Sequence, residues 1–220
     1  SFLRYLRHQG RIATDLAAAV PSVAAWQLSS LPKFLPIDQV QRVLEGCDRQ
    51  TPRGRRDYAM FLLIATYGLR TSEVASLRLD DIEWRARRLR VRRPKTKTPI
   101  LLPLTDEIGA ALLDYLRRAR PDLPCRELFL RVRAPDGPIA PTAVTEAFQA
   151  WTRRGRLPIT HQGPHCLRHS LAVHLLRQGT SLKAIGDLLG HRGIESTCVY
   201  LRLHVDDLRD AALEVPAVRR

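Results

Sequence analysis

The residues in this chain best suited to chemistry come late, in HCLRHS at 165–170 and GHRGIESTCVY at 190–200. His165 and Arg168 are spaced to share one face of a helix. An arginine fork beside an imidazole suits a phosphate: the guanidinium donates two parallel hydrogen bonds to its oxygens, and histidine gives or takes a proton near neutral pH. His191 stands just past Gly190, where a side chain can project into a cleft, and Tyr200 follows on the next helix. Tyrosine has an ordinary pKa near about 10, so it attacks phosphorus only if its proton is removed and the developing charge is neutralised. Two arginines and two histidines would do that. The second arginine comes from YGLRTSEV, where Arg70 follows Gly68 and Glu73 is placed to orient a guanidinium or a histidine from behind.

Each of these residues also has a plainer reading. His165 and His169 have the spacing of a metal clamp, with His174 or His191 as a further ligand. Against this, Cys166 stands where a zinc protease has its glutamate, and no nearby acidic residue offers a third ligand at a familiar spacing. Singly, His169 and His174 read as helix-packing, hydrogen-bonded histidines, Tyr200 as a core aromatic, and Arg70 as a surface arginine paired with Glu73.

Charge points the same way as the phosphate reading. The chain carries 36 basic against 22 acidic residues, a formal net charge of +14. That excess calls for a polyanionic partner, nucleic acid first, although compositional drift toward arginine is a second source of it. The lysines are Lys33, Lys95, Lys97 and Lys183, so a job needing a titratable ammonium has few candidates. Cys47, Cys125, Cys166 and Cys198 are scattered and form no CxxC pair, which fits free thiols in a reducing compartment. No stretch approaches the roughly 20 apolar residues of a membrane span, and the N-terminus is too charged for a signal peptide.

The elements that must hold these residues are mostly helices. Phe2, Leu3 and Leu6 share a face of an opening helix with no cap before it, which reads as the end of something longer. The Pro- and Ala-rich stretch 17–36 then reads as a linker. Asp38 is expected to cap QVQRVLEGC, and RRDYAMFLLIATYG to form a buried helix stopped by Gly68. TSEVASLRL should be a short helix with Thr71 or Ser72 near its start. DIEW, RLRVRRP and PILLPL then change period to an antiparallel sheet, with KTKT at a hairpin tip. Thr105 should cap a helix that Pro121 ends, and another helix should lie around TAVTEAFQAWTRRG. Four more are expected at 165–178, 181–189, 194–202 and 206–213, with Leu167, Leu171 and Leu175 as the buried stripe of the first. The fold class is mainly α with a small antiparallel β-sheet, in two parts: 1–32, and a main domain at 33–220.

Taken in order, GLRTSEV, a lysine hairpin, HCLRHS and LLGHRGIESTCVY resemble the tyrosine recombinases, the lambda integrase family. The resemblance covers about residues 33–205. It implies that family's mostly helical catalytic-domain fold, with 1–32 as the end of an N-terminal core-binding domain and its linker. Carried over by position, it implies that Arg70 and Arg168 clamp a scissile DNA phosphate, His165 and His191 assist, Tyr200 attacks, and Glu73 supports the site. In the family a hairpin lysine protonates the leaving 5′ oxygen. Here PKTKTPILLPL is short and offers both Lys95 and Lys97; counting back from Pro103 favours Lys95.

The implied function is site-specific recombination through a 3′-phosphotyrosine and a Holliday junction, without metal, nucleotide or other cofactor. The implied partner is double-stranded DNA with specific recombination sites, bound by a homotetramer whose subunits are monomeric when free. No membrane is implied, and the location is a bacterial, nucleoid-associated cytoplasm. A type IB topoisomerase would share the chemistry, and a non-catalytic DNA-binding protein would share the charge. In the tail, Leu208, Ala211, Ala212 and Val215 form an apolar stripe on a segment too short to be stable alone. It must dock, at home or on a neighbouring subunit.

Overall fold

A computed structural model of the protein describes residues 2–16, 33–93, 99–157, 159, 163–191, 193 and 195–201. The linker residues 17–32, the hairpin tip with Lys95 and Lys97, and the tail helix expected at 206–213 lie outside the described residues. The chain divides into two compact units, 1–30 and 31–220. In the first, helix α1 (Phe2–His8) buries none of its residues, and Arg7 pairs with Asp15.

The second unit is built around one helix. α2 (Ile37–Glu45) leads into α3 (Pro52–Tyr67), whose run Ala59, Met60, Phe61, Leu62, Leu63 and Ile64 is buried on every side. A helix apolar all round is a core helix, and α3 packs against α2, α5 (Asp106–Arg118), α6 (Pro141–Arg154) and α7 (His165–Arg177). Thr51 caps it, its hydroxyl accepting from the Gly54 N–H at 3.0 Å, and Gly68 ends it at φ 64°. After the short α4 (Thr71–Ala75) come β1 (Ile82–Glu83), β2 (Arg88–Val91) and β3 (Ile100–Pro103), antiparallel in the order β1-β2-β3. Leu89 pairs with Leu102 and faces inward, as does Val91, while Arg88 and Arg90 stand exposed. α8 (Leu182–Leu189), capped by the Ser181 hydroxyl and ended by Gly190, and α9 (Glu195–Cys198) complete the unit. Among the described residues no helix is long and apolar enough to cross a membrane.

Local expectations at four places need correction. The residue before α2 is Pro36, whose carbonyl accepts from Val40; Asp38 lies inside the first turn, where its carboxylate faces the positive end of the helix rather than capping it. α5 ends at Arg118, before Pro121, because the Ala119 and Arg120 N–H groups both turn back to the Tyr115 carbonyl. Tyr200 sits in the turn after α9, not in a helix, its N–H bonded to the Thr197 carbonyl at 3.0 Å. In α7 the buried residues are Cys166, Leu167, Arg168, Ser170, Ala172 and Val173, with Leu171 and Leu175 only half-buried. α7 is embedded on two sides, against α3 and against α8, so no single stripe describes it.

One buried charge ties the layers together. The Asp57 carboxylate is fully buried, accepting from Arg56 Nε at 2.9 Å and Nη2 at 2.7 Å, from Trp151 Nε1 at 2.8 Å, and from Arg53 at 3.4 Å. α3 is thereby pinned to α6, and Arg56 continues to the Leu130 carbonyl at 3.1 Å. Removing one member of such a set leaves the others buried and unpaired. Asp57→Ala should therefore cost about 3–5 kcal/mol, whereas Arg53→Ala, whose side chain is 44% exposed and whose contact is the longest of the set, should cost under about 1 kcal/mol. Denaturant midpoints of the two variants check this, and equal losses would overturn the assignment.

Candidate active site

The site is assembled where two helices run out. A helix leaves its last carbonyls without N–H partners and carries a partial negative charge there. α8 ends at Gly190, which takes φ 64°, and its terminal carbonyls accept from arginines on three other elements. Arg168 Nη2 on α7 donates to the Leu189 carbonyl at 2.7 Å, and Arg70 Nη2 donates to the Gly190 carbonyl at 2.9 Å. Arg93 beyond β2 donates through Nη1 to the Asp187 carbonyl at 3.1 Å, and through Nη2 to that of Leu188. Arg168 also donates to the carbonyl of Gly68, the glycine ending α3. There a Cβ would stand 2.5 Å from Leu189 Cδ2, so the positive φ and the close approach both require glycine.

Glu73 is the carboxylate among these guanidiniums. It is 2% exposed, and its two oxygens accept from the Arg70 backbone N–H at 2.9 Å and from Arg70 Nη1 at 2.7 Å. The side chain predicted to orient a guanidinium from behind does so. Arg168 is itself 2% exposed, so it does not stand out beside His165, which is exposed at the helix start. Burial, and then Arg70, lower the Arg168 pKa to about 10, which leaves it charged at neutral pH.

Tyr200 is 1% exposed, and its hydroxyl lies 2.8 Å from His169 Nδ1. His169 packs edge-on against His165, ring centroids 4.5 Å apart, and His191 lies nearly parallel to the Tyr200 ring at 6.5 Å. His191 Nδ1 is 2.8 Å from the hydroxyl of the buried Thr197. Burial pushes the Tyr200 phenol up to about 12, with Arg168 pulling the other way. Burial, then Arg168 and Arg70, take His191 down to about 4. His165 moves in the same direction from the same causes, since its ring is backed by protein although the residue opens to solvent.

Arg70, Glu73, His165, Arg168, His191 and Tyr200 thus converge, while Lys95 and Lys97 lie outside the described residues. Sequence alone missed two members. His169 read as a packing histidine; it is hydrogen-bonded, but to the tyrosine hydroxyl. Arg93 read as part of a strand, yet it continues the inward alternation of Leu89 and Val91, where an arginine is out of place without buried partners. His174 is exposed and bonded to Gln178 at 3.0 Å rather than packed.

Residues 33–207 match the family described as the phage integrase family. The chain belongs to that family. Among relatives of this phage integrase family member, a putative integrase/recombinase y4rA of Sinorhizobium fredii is 46% identical over 98% of the chain and 53% of its own length. A second from the same organism, y4gC, is 44% identical over 84% of the chain and 97% of its own length. Tyrosine recombinase XerD of Listeria innocua is 33% identical over 95% of the chain and 69% of its own. The chain therefore spans about half of the first relative and nearly all of the second. In fold it is similar to XerH recombinase bound to palindromic difH substrate, with a TM-score of 0.72 at 19% identity, over 87% of the chain and 56% of that one. It is also similar to a lambda integrase dimer bound to a COC′ core site, with a TM-score of 0.65 at 18% identity, over 98% of the chain and 59% of that one.

The lowered histidines make the stability of this integrase-family chain depend on pH. A group whose folded pKa lies below its unfolded one contributes stability above the unfolded value and loses it as pH falls toward the folded one. For His191 the window runs from 6.5 down to about 4. Denaturant midpoints should fall across that window, and His191→Gln should flatten the fall. An unchanged slope in the variant would overturn the assignment.

Proposed function

We propose that this chain is a site-specific DNA recombinase that cuts and rejoins strands through a covalent 3′-phosphotyrosine. The observation that carries the reading is a tyrosine set among Arg70, Arg168 and three histidines, His165, His169 and His191, in a family whose members include named integrases and recombinases. The Tyr200 oxygen attacks phosphorus and the 5′ oxygen leaves; a 5′ hydroxyl from another strand later attacks the phosphotyrosine and releases Tyr200. The phosphodiester energy is kept in the intermediate. Arg70 and Arg168 neutralise the phosphate, the hydrogen bonds above leaving each with further N–H donors. His165 and His191 assist, and Glu73 holds Arg70. In the resting site the tyrosyl hydroxyl is held by His169, whose Nδ1 lies 2.8 Å away. At 1% exposure Tyr200 must leave this resting contact to meet a duplex.

Lys95 is proposed as the acid that protonates the leaving 5′ oxygen, with Lys97 as a backbone contact. The partner is double-stranded DNA bearing specific sites, with a homotetramer formed on it from free monomers and the tail beyond Tyr200 handed to a neighbour. Residues 1–32 would be the end of a core-binding domain and 33–220 the catalytic domain. The location is the bacterial cytoplasm, on the nucleoid. Strand exchange is preferred to type IB relaxation because the relatives carry recombinase names.

On nicked suicide duplexes the chain should form an adduct that survives denaturing gels, and Tyr200→Phe should bind DNA but form none. An adduct with Tyr200→Phe would sink the reading. Binding should weaken steeply with salt, as phosphate contacts release counterions. A 5′-bridging phosphorothiolate leaves without protonation, so it should restore cleavage to Lys95→Ala. Restoration of Lys97→Ala instead would reverse the two lysines.

A further inference from the structure

Arg93 has no part in the mechanism above, yet it is among the most deeply placed charges in the protein. It is 7% exposed, and its two terminal nitrogens hold the carbonyls of Asp187 and Leu188. Its Nε is buried without a hydrogen-bond partner and points toward Glu73, 3.8 Å from Oε1. A Cβ on Gly190 would come within 2.7 Å of the Arg93 Cζ, so the glycine before His191 is shaped to the guanidinium as well as to its own φ. A buried guanidinium is costly to desolvate. Leu89 and Val91 precede it on the inward face, and a leucine or valine would have continued that face at no such cost. Three arginines share one carboxylate here, so the cluster carries unbalanced positive charge.

We propose that Arg93 is a positioning residue for the cleavage site: it fixes the end of α8, and so the places of His191 and the Gly190 carbonyl, and it shares Glu73 with Arg70. Lysine cannot substitute fully, because one ammonium does not span two successive carbonyls as a planar fork does. The charge acts on His191 too. His191 is faced by the Tyr200 ring in the turn after α9 and the Thr197 hydroxyl within it, and by the charges of Arg168 and His165 on α7, Arg70 just before α4, and Arg93. Of these, Arg168, Arg70, His165 and Arg93 hold its pKa down, in that order after burial.

The inference rests on the recombinase reading, and the test separates the two. Adduct formation on suicide duplexes is measured for the 220-residue chain, Arg93→Gln and Arg93→Lys across pH, below each variant's melting temperature, beside single-site DNA affinity. Both variants should bind DNA within about threefold of the parent. Both should form adduct more slowly, by up to roughly 10²-fold, the scale of a 1 Å misplacement. Arg93→Gln should also move the acid limb of the pH–rate profile upward, because His191 titrates higher without the charge, whereas Arg93→Lys should leave that limb in place. A merely structural residue would lower stability and leave the limb where it was in both. Parent-like rates in both variants, or an unmoved limb in Arg93→Gln, overturn the inference. Absence of adduct from the parent chain overturns the recombinase reading itself. If Arg93→Gln does not fold, Arg93→Lys decides alone: cleavage slowed well below its melting temperature with single-site DNA affinity kept supports the inference, because a residue that only stabilises the fold would leave the folded protein cleaving at the parent rate, and a parent-like rate ends it.

Discussion

Four successive carbonyls, from Asp187 to Gly190, are the anchor on which the site depends. Helix ends elsewhere give such groups to water or to a glycine cap. Here they go to Arg93, Arg168 and Arg70, which arrive from a strand end, a helix and a helix start. The arrangement answers two needs at once. Each buried guanidinium gains acceptors it could not do without in a low-dielectric interior, and the negative end of the helix gains cations. Backbone acceptors neutralise none of the charge formally, so the arginines keep their attraction for an anion.

The same desolvation acts in opposite directions on the uncharged partners. It raises the Tyr200 phenol to about 12 and lowers His191 to about 4, since in both cases the neutral form is the one that survives burial. The neighbouring arginines reinforce the effect on the histidine, and Arg168 opposes it on the tyrosine. A resting site of this kind holds charged guanidiniums around neutral proton carriers. A phosphate entering it would relieve the excess positive charge and draw the histidines back toward their ordinary range.

The glycines at the ends of α3 and α8 explain why the two halves of the site meet so closely. Gly68 and Gly190 both take a left-handed φ that ends a helix, and both present a bare α-carbon to a neighbour, Leu189 in one case and Arg93 in the other. A side chain at either place would be strained by its backbone and would separate α8 from the element it packs on. Local chain reversal and long-range approach are thus met by one residue type.

Most of the elements and six of the site residues were legible in the sequence because the signals are local. Periodicity marked the helices and the small sheet, Thr105, Gly68 and Gly190 are end signals that act within a turn of themselves, and the order of GLRTSEV, HCLRHS and GHRGIESTCVY carried the family. What the tertiary structure alone decided is which of those residues face each other. Arg168 and His165 are three apart on one helix, yet one is buried and the other open, because α7 is packed against both α3 and α8 and no single face is its inside. His169 became the partner of Tyr200 only through the turn after α9, and Arg93 joined the site from a strand nearly a hundred residues from the carbonyls it holds. Spacing along a chain reports neighbours on one element; contacts between elements depend on how every intervening element packs, which local sequence does not encode.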